Sequence, residues 1–113
     1  MATRRGRTSG YDRDAADAAR QATLETMRRI RDEFDLNMAC GASNVSFGMP
    51  GRHTLNATWL PMAMTSGLTS AIMDARTPQV VEAVKAADVF LGHDDWGMAW
   101  ISAHRAKQAA DGA

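Results

Sequence analysis

Apolar positions along the chain follow two rhythms. Leu24, Met27, Ile30 and Phe34 step by three, three and four, which places them on one helix face, with Arg28, Arg29, Asp32 and Glu33 opposite. The alanine-rich stretch from Asp12 extends this helix backwards, since alanine has the highest helix propensity. Residues 1–11 are almost free of apolar side chains and read as disordered. Asn37 to Ala42 is short and apolar and runs into Ser43, Asn44, Gly48, Pro50 and Gly51, which predicts a strand and then a loop. Leu55 to Met64 is apolar nearly all round and predicts a buried helix, with Pro61 expected to kink it or remove one backbone bond. Gly67 is a helix stop, and Thr69 to Met73 is a second buried strand. Thr77 and Pro78 predict a helix start, a hydroxyl cap followed by proline at the first helical position. Val80, Val84, Ala87 and Leu91 form the buried stripe of that helix, and Gly92 ends it. Asp94 or Asp95 caps a final helix carrying Trp96, Trp100 and Ile101, with Arg105 and Lys107 near its C-terminal end, where the dipole favours cations.

The predicted order is helix, strand, helix, strand, helix, helix. The strands start about 32 residues apart, the period of a βαβ unit, and both are apolar rather than alternating, as strands covered on both faces should be. This is the pattern of a parallel α/β sheet. Two parallel strands leave outer edges with unpaired backbone groups, so the chain is expected to be part of a larger sheet or to complete one by association.

Length and charge narrow the classes. At 113 residues the chain has room for one small domain. No run approaches the roughly 20 apolar residues of a membrane helix. One cysteine, Cys40, excludes a disulfide scaffold and a multi-cysteine metal cage within one chain. The formal net charge is zero, which argues against a dedicated nucleic-acid binder. The charge is unevenly spread: residues 1–31 hold eight arginines and four acids, the remainder five basic and nine acidic residues. The head lacks the apolar core of a secretory signal, and Asp12, Asp14 and Asp17 do not suit a mitochondrial transit peptide. The expected address is cytoplasmic, with no membrane and no nucleic-acid partner.

The chemistry is concentrated in the run Gly41-Ala42-Ser43-Asn44-Val45-Ser46-Phe47-Gly48-Met49-Pro50-Gly51-Arg52. It falls at the C-terminal end of a strand and before a helix, the edge at which parallel α/β folds bind ligands. Gly41 permits close approach to the backbone, Ser43 and Asn44 offer a hydroxyl and an amide, and Arg52 brings a fork of donors. Composition alone also allows a plain turn, because Ser, Asn, Gly and Pro are what turns use.

The longer run GASNVSFGMPGRHTLNATWLPMAMTSGLTSAIMDA resembles the pterin-binding domain of methyltetrahydrofolate:corrinoid methyltransferases, in its ordered SNVS, Arg, Leu-Asn, Met-Ala, Gly-Leu and Ala-Ile elements. Thr54-Leu55-Asn56 favours the smaller corrinoid-protein methyltransferases over methionine synthase, and the late signatures of dihydropteroate synthase are missing. The resemblance covers about residues 23–101. It implies a partial TIM (β/α)8 barrel, the last two β/α units plus the preceding helix, with residues 1–22 an atypical lead-in and 23–110 the C-terminal part of the pterin-binding domain. It further implies methyltetrahydrofolate as methyl donor and the cobalt of a cobalamin or other corrinoid, carried by a partner corrinoid protein, as acceptor. The residue matching Asn44 hydrogen-bonds the methyl-bearing ring nitrogen in that family, where a donor stabilises the charge left as the methyl departs. Gly41, Ser43 and Arg52 would line the pterin site, Ile72 would pack on the ring, and no protein metal site is expected. A whole barrel takes about 250 residues. Strands one to six, with the acidic and amide residues that grip the pterin, have no counterpart here, and Asp74 and Ala75 stand where relatives often carry Asn and Pro. The chain is therefore expected to be inactive alone, and to need a second chain supplying the missing strands or a homo-oligomer.

The alternative function is a small non-catalytic helical interaction or regulatory protein, its arginine-rich head touching an acidic partner. Among the remaining residues, Cys40 reads as a buried structural thiol, His53 as exposed in the loop, and His93 and His104 as lacking a second metal ligand at helical spacing. Asp88, Asp94 and Asp95 read as solvated helix-end charges. Met62, Met64 and Met73 are expected in the core, and Trp59, Trp96 and Trp100 between helices and sheet.

Overall fold

A computed structural model describes residues 13–112. Helix α1 spans Arg13–Phe34, strand β1 Ala39–Gly41, helix α2 Arg52–Thr65, strand β2 Ser70–Ile72, helix α3 Pro78–Phe90 and helix α4 Met98–Asp111. The strands are parallel, with Ala39 opposite Ser70, Cys40 opposite Ala71 and Gly41 opposite Ile72. The molecule is a small α/β domain, mostly helical, with a two-stranded parallel sheet and no closed barrel among the described residues. No described helix is long and apolar enough to cross a membrane. The expected disorder of residues 1–11 lies outside the described residues.

The core lies between α1, α2, α3 and one face of the sheet. Met27, Trp59, Leu60, Ala63, Leu68 and Val80 are buried together, with Leu24, Cys40, Ala71, Met73 and Val84 packed against them. In α2 the buried residues are Asn56, Trp59, Leu60 and Ala63, the spacing of a single helix face. Leu55 and Met62 are exposed on the other side, so the helix is covered on one face rather than all round, and Met62 is not a core residue. Pro61 sits inside α2 without ending it. Met64 and Met73 are half-buried.

Both strands are shorter than their apolar runs, pairing with each other over three residues. Their faces are not both covered, which corrects the expectation from the apolar pattern. Cys40 and Ala71 turn toward the helices, whereas Ala39, Ser70 and Ile72 are exposed, Ile72 at 78%. In α3 the stripe holds at Val80 and Ala87, with Val84 half-buried.

The C-terminal region differs from expectation at one tryptophan. Trp96 lies before α4 in a left-handed backbone conformation and is 93% exposed, so it packs no helix against the sheet. Asp94 is the residue that ties the start of α4: its carboxylate accepts from the N–H of Ala99 at 2.9 Å and of Trp100 at 3.0 Å. Thr77 precedes α3 as expected, but its hydroxyl makes no capping bond.

Candidate functional site at the carboxyl edge of the sheet

β1 ends at Gly41, and the chain turns at once into a single 3-10 turn, Asn44–Ser46. The loop is held by its own groups. Ser46, fully buried, donates through Oγ to the Ser43 carbonyl at 3.2 Å. Arg52, at the start of α2, donates from Nε to Ser46 Oγ at 3.0 Å and from Nη2 to the Ser43 carbonyl at 2.8 Å. Its guanidinium lies 6.0 Å from the centre of the Phe47 ring, within reach of a cation–π contact. From the other side, Arg20 of α1 donates to the Val45 carbonyl at 2.8 Å. Gly51 enters α2 with φ of +65°, a conformation glycine adopts at little cost.

Asn44 projects from this clamped turn three residues beyond the strand, and its side chain rests against Gly41. A Cβ added at Gly41 would stand 3.2 Å from Asn44 Nδ2, so a side chain there would push the amide aside by a few tenths of an ångström. Asn44 and Gly41 together line a cavity of about 440 Å³ between α1, β1 and α2. Its other walls include Thr23, Cys40, Phe47 and Trp59. That volume falls in the range of small-molecule pockets, and the walls are largely apolar and aromatic. The indole Nε1 of Trp59 is buried with no hydrogen-bond partner. Burial pushes the Cys40 thiol up from its usual range, which keeps it protonated and unreactive at neutral pH.

The other residues singled out in the sequence fall elsewhere. Ser43 and Arg52 line a second, smaller cavity of about 230 Å³, formed with Asn56, Asp74 and Thr77 between the starts of α2 and α3. Ile72 stands opposite Gly41 in register, on the bare face of the sheet, and lines neither cavity. Gly41 and Asn44 are thus brought together, Ser43 and Arg52 are brought together next door, and Ile72 is left on the open side. His53 lies in the wall of the smaller cavity and is exposed. Hydrogen bonds from the Arg76 side chain and backbone N–H hold the Asp74 carboxyl below the usual carboxylate range. No cluster of three His, Cys, Asp or Glu side chains suited to a metal ion occurs among the described residues.

Asn56 was not singled out as a site residue, yet it is 9% exposed and its Oδ1 has no hydrogen-bond partner. A signal existed: Asn56 occupies the same helical stripe as Trp59, Leu60 and Ala63, and a buried amide must find a partner or bear a cost of about 1–3 kcal/mol.

No family model matches the chain. A 74-residue stretch, 66% of this chain, is 35% identical to the methylcorrinoid:tetrahydrofolate methyltransferase of Eubacterium limosum and covers 27% of that protein. The chain therefore spans about a quarter of the length of this curated relative, and it is a distant homologue of a corrinoid methyltransferase.

Proposed function

We propose that this chain on its own is a small non-catalytic interaction protein, of which the uncovered face and open edges of the β1–β2 sheet are the working surface. The carrying observation is that the helices cover one side of the strands only, leaving Ala39, Ser70 and Ile72 in solvent. A mostly helical domain with two three-residue strands supports this reading better than a self-sufficient enzyme. The arginines of α1 are a weaker candidate for the contact. Arg28, Arg29 and Arg31 pair with Glu25 and Asp32 on the same helix, which leaves less of their charge for an acidic partner.

Similarity to the E. limosum methyltransferase, together with Asn44 at a strand end beside a cavity, supports a second reading. In it the chain corresponds to the last two β/α units of a TIM barrel and becomes part of a folate–corrinoid methyltransferase when the other strands are supplied. Asn44 would donate from its amide to the methyl-bearing nitrogen of the pterin, and the cavity beside it has room for a bicyclic ring. Gly41 would leave space for that ring and for the amide, and Ser43 and Arg52 would set the loop, while Ile72, outside this cavity, would meet a ring only from the open face of the sheet. The corrinoid would be carried by a partner protein. The relative's name runs the methyl from corrinoid to folate, opposite to the direction expected above. One donor at that nitrogen stabilises the same transition state either way.

Mixing the chain with a polypeptide carrying the portion of the E. limosum enzyme that precedes the matched stretch separates the readings. Sedimentation should show a complex. An interaction protein gives a complex whose melting temperature is indifferent to tetrahydrofolate. An enzyme fragment gives folate-dependent stabilisation and methyl exchange with cobalamin, reduced in Asn44→Ala by roughly 100-fold or more, the usual loss when one such donor is removed. Absence of a complex with that polypeptide removes the enzyme-fragment reading, and a chain that also shows no self-association removes the interaction reading.

A further inference from the structure

A third cavity, of about 330 Å³, lies between α3 and α4, apart from the bare sheet face and from the Asn44 cavity. It follows from the spacing on both helices. Val80 and Ala87 of α3 face the core, which turns Pro78, Val81 and Lys85 to another side of the helix. On α4, Trp100, Ala103, His104 and Lys107 recur at intervals of three and four and form the facing stripe. Lys107 Nζ bonds Glu82 at 3.1 Å and so bridges the two helices. Between Trp100 and Lys107 on that stripe stands Ala103, whose small side chain leaves room against α3.

The walls are largely apolar, with Trp100 half-buried among them. The charges at the rim nearly cancel. Arg76 meets Asp74 at 3.0 Å and Lys107 meets Glu82, so each of these cations has its own carboxylate. The Lys85 ammonium pairs with no carboxylate among the described residues, and the His104 ring makes no hydrogen bond there. One net positive charge therefore stands beside an apolar, aromatic-walled cavity whose volume is at the small end of the range for small-molecule sites. A dianion would find only half its charge answered, and a neutral ring would gain nothing from the ammonium. The ligand that matches is a flat ring with one carboxylate. Its ring packs against Trp100 and Val81, and its carboxylate accepts from Lys85, with a His104 ring N–H as a second donor. We propose that this cavity is a binding site for small aromatic monocarboxylates.

The test is a titration of the isotope-labelled 113-residue chain with naphthoate, its neutral amide and acetate in turn, followed by amide chemical shifts. It is run at pH 7 and low salt, because salt screens an exposed pair. Naphthoate should shift the amides of Val81, Lys85, Ala103 and His104. Acetate, which has no ring to bury, should bind on the order of tenfold or more weaker. The neutral amide should bind roughly two- to fivefold weaker than the acid, the range of an exposed ion pair. In Lys85→Gln, an exposed position, naphthoate should fall to the level of the amide while binding of the amide is unchanged. In Ala103→Leu, which fills the room between the helices, both ring compounds should lose binding. No binding of naphthoate, shifts centred away from the α3–α4 groove, equal binding of acid and amide, or an unaltered acid-to-amide ratio in Lys85→Gln overturns the proposal.

Discussion

The two faces of one small sheet have opposite fates. Toward the helices, Cys40 and Ala71 meet Leu60, Ala63 and Val80 in a packed core. Away from them, the same strands show Ala39, Ser70 and Ile72 to water. Strand alternation makes the two sets neighbours in sequence, so composition does not distinguish them. Connectivity does. The covered face is built by helices that lie within a few dozen residues of each strand, whereas no described element covers the other face. The local β/α packing closes one side of the sheet, and the opposite side is where association has something to gain.

Substitutions on the two faces should differ in kind. The largest effect belongs to Leu60→Ala. Leu60 is 1% exposed at the centre of the core, and its truncation should cost about 2–5 kcal/mol, read as a lowered midpoint in urea. Such a loss would unfold a marginal domain outright; a cost below half a kcal/mol would show that the helical layer is not the seat of stability. Ile72→Ser should change the stability of the isolated chain by no more than about 0.5 kcal/mol, as for exposed sites in general. It should nevertheless weaken self-association or partner binding in sedimentation. A large destabilisation there would mean that the bare face is covered within the chain itself.

The smallest effect lies at the rim, where Asp74 pairs with Arg76. The folded carboxyl titrates below its unfolded value, so its contribution is present above the unfolded value and is lost as pH falls through the folded one. The stability difference between the unaltered chain and Asp74→Asn should thus favour the former at pH 7 and vanish in acid. A difference that persists in acid assigns the contact to something other than charge.

Much of this organisation is legible in the residues. Met27, Val80 and Ala87 are buried where helical spacing places them, and Asp94 sits at the head of α4 as capping chemistry requires. What the pattern misses shares a cause: a hydropathy pattern says that a residue can be buried, not that anything is present to bury it. Met62 of α2 and Ile72 of β2 are apolar and exposed because no described element packs over them. Trp96 is a different case. A residue or two separates a helix start from the turn before it, and the aspartate that caps α4 leaves Trp96 in that turn. The candidate site was readable as a motif and a strand end. Its division into two cavities was not, since that depends on how α1 and α3 close on either side of the loop.

Arg52 ties the β1–α2 turn to the first residues of a helix through two bonds, and Arg20 anchors the same turn from α1. A visiting molecule would meet an amide whose supporting backbone is already fastened on both flanks. Little freedom would then remain to be surrendered at the moment of contact, so discrimination among visitors at Asn44 would rest on shape and hydrogen bonding rather than on the work of ordering a loose segment.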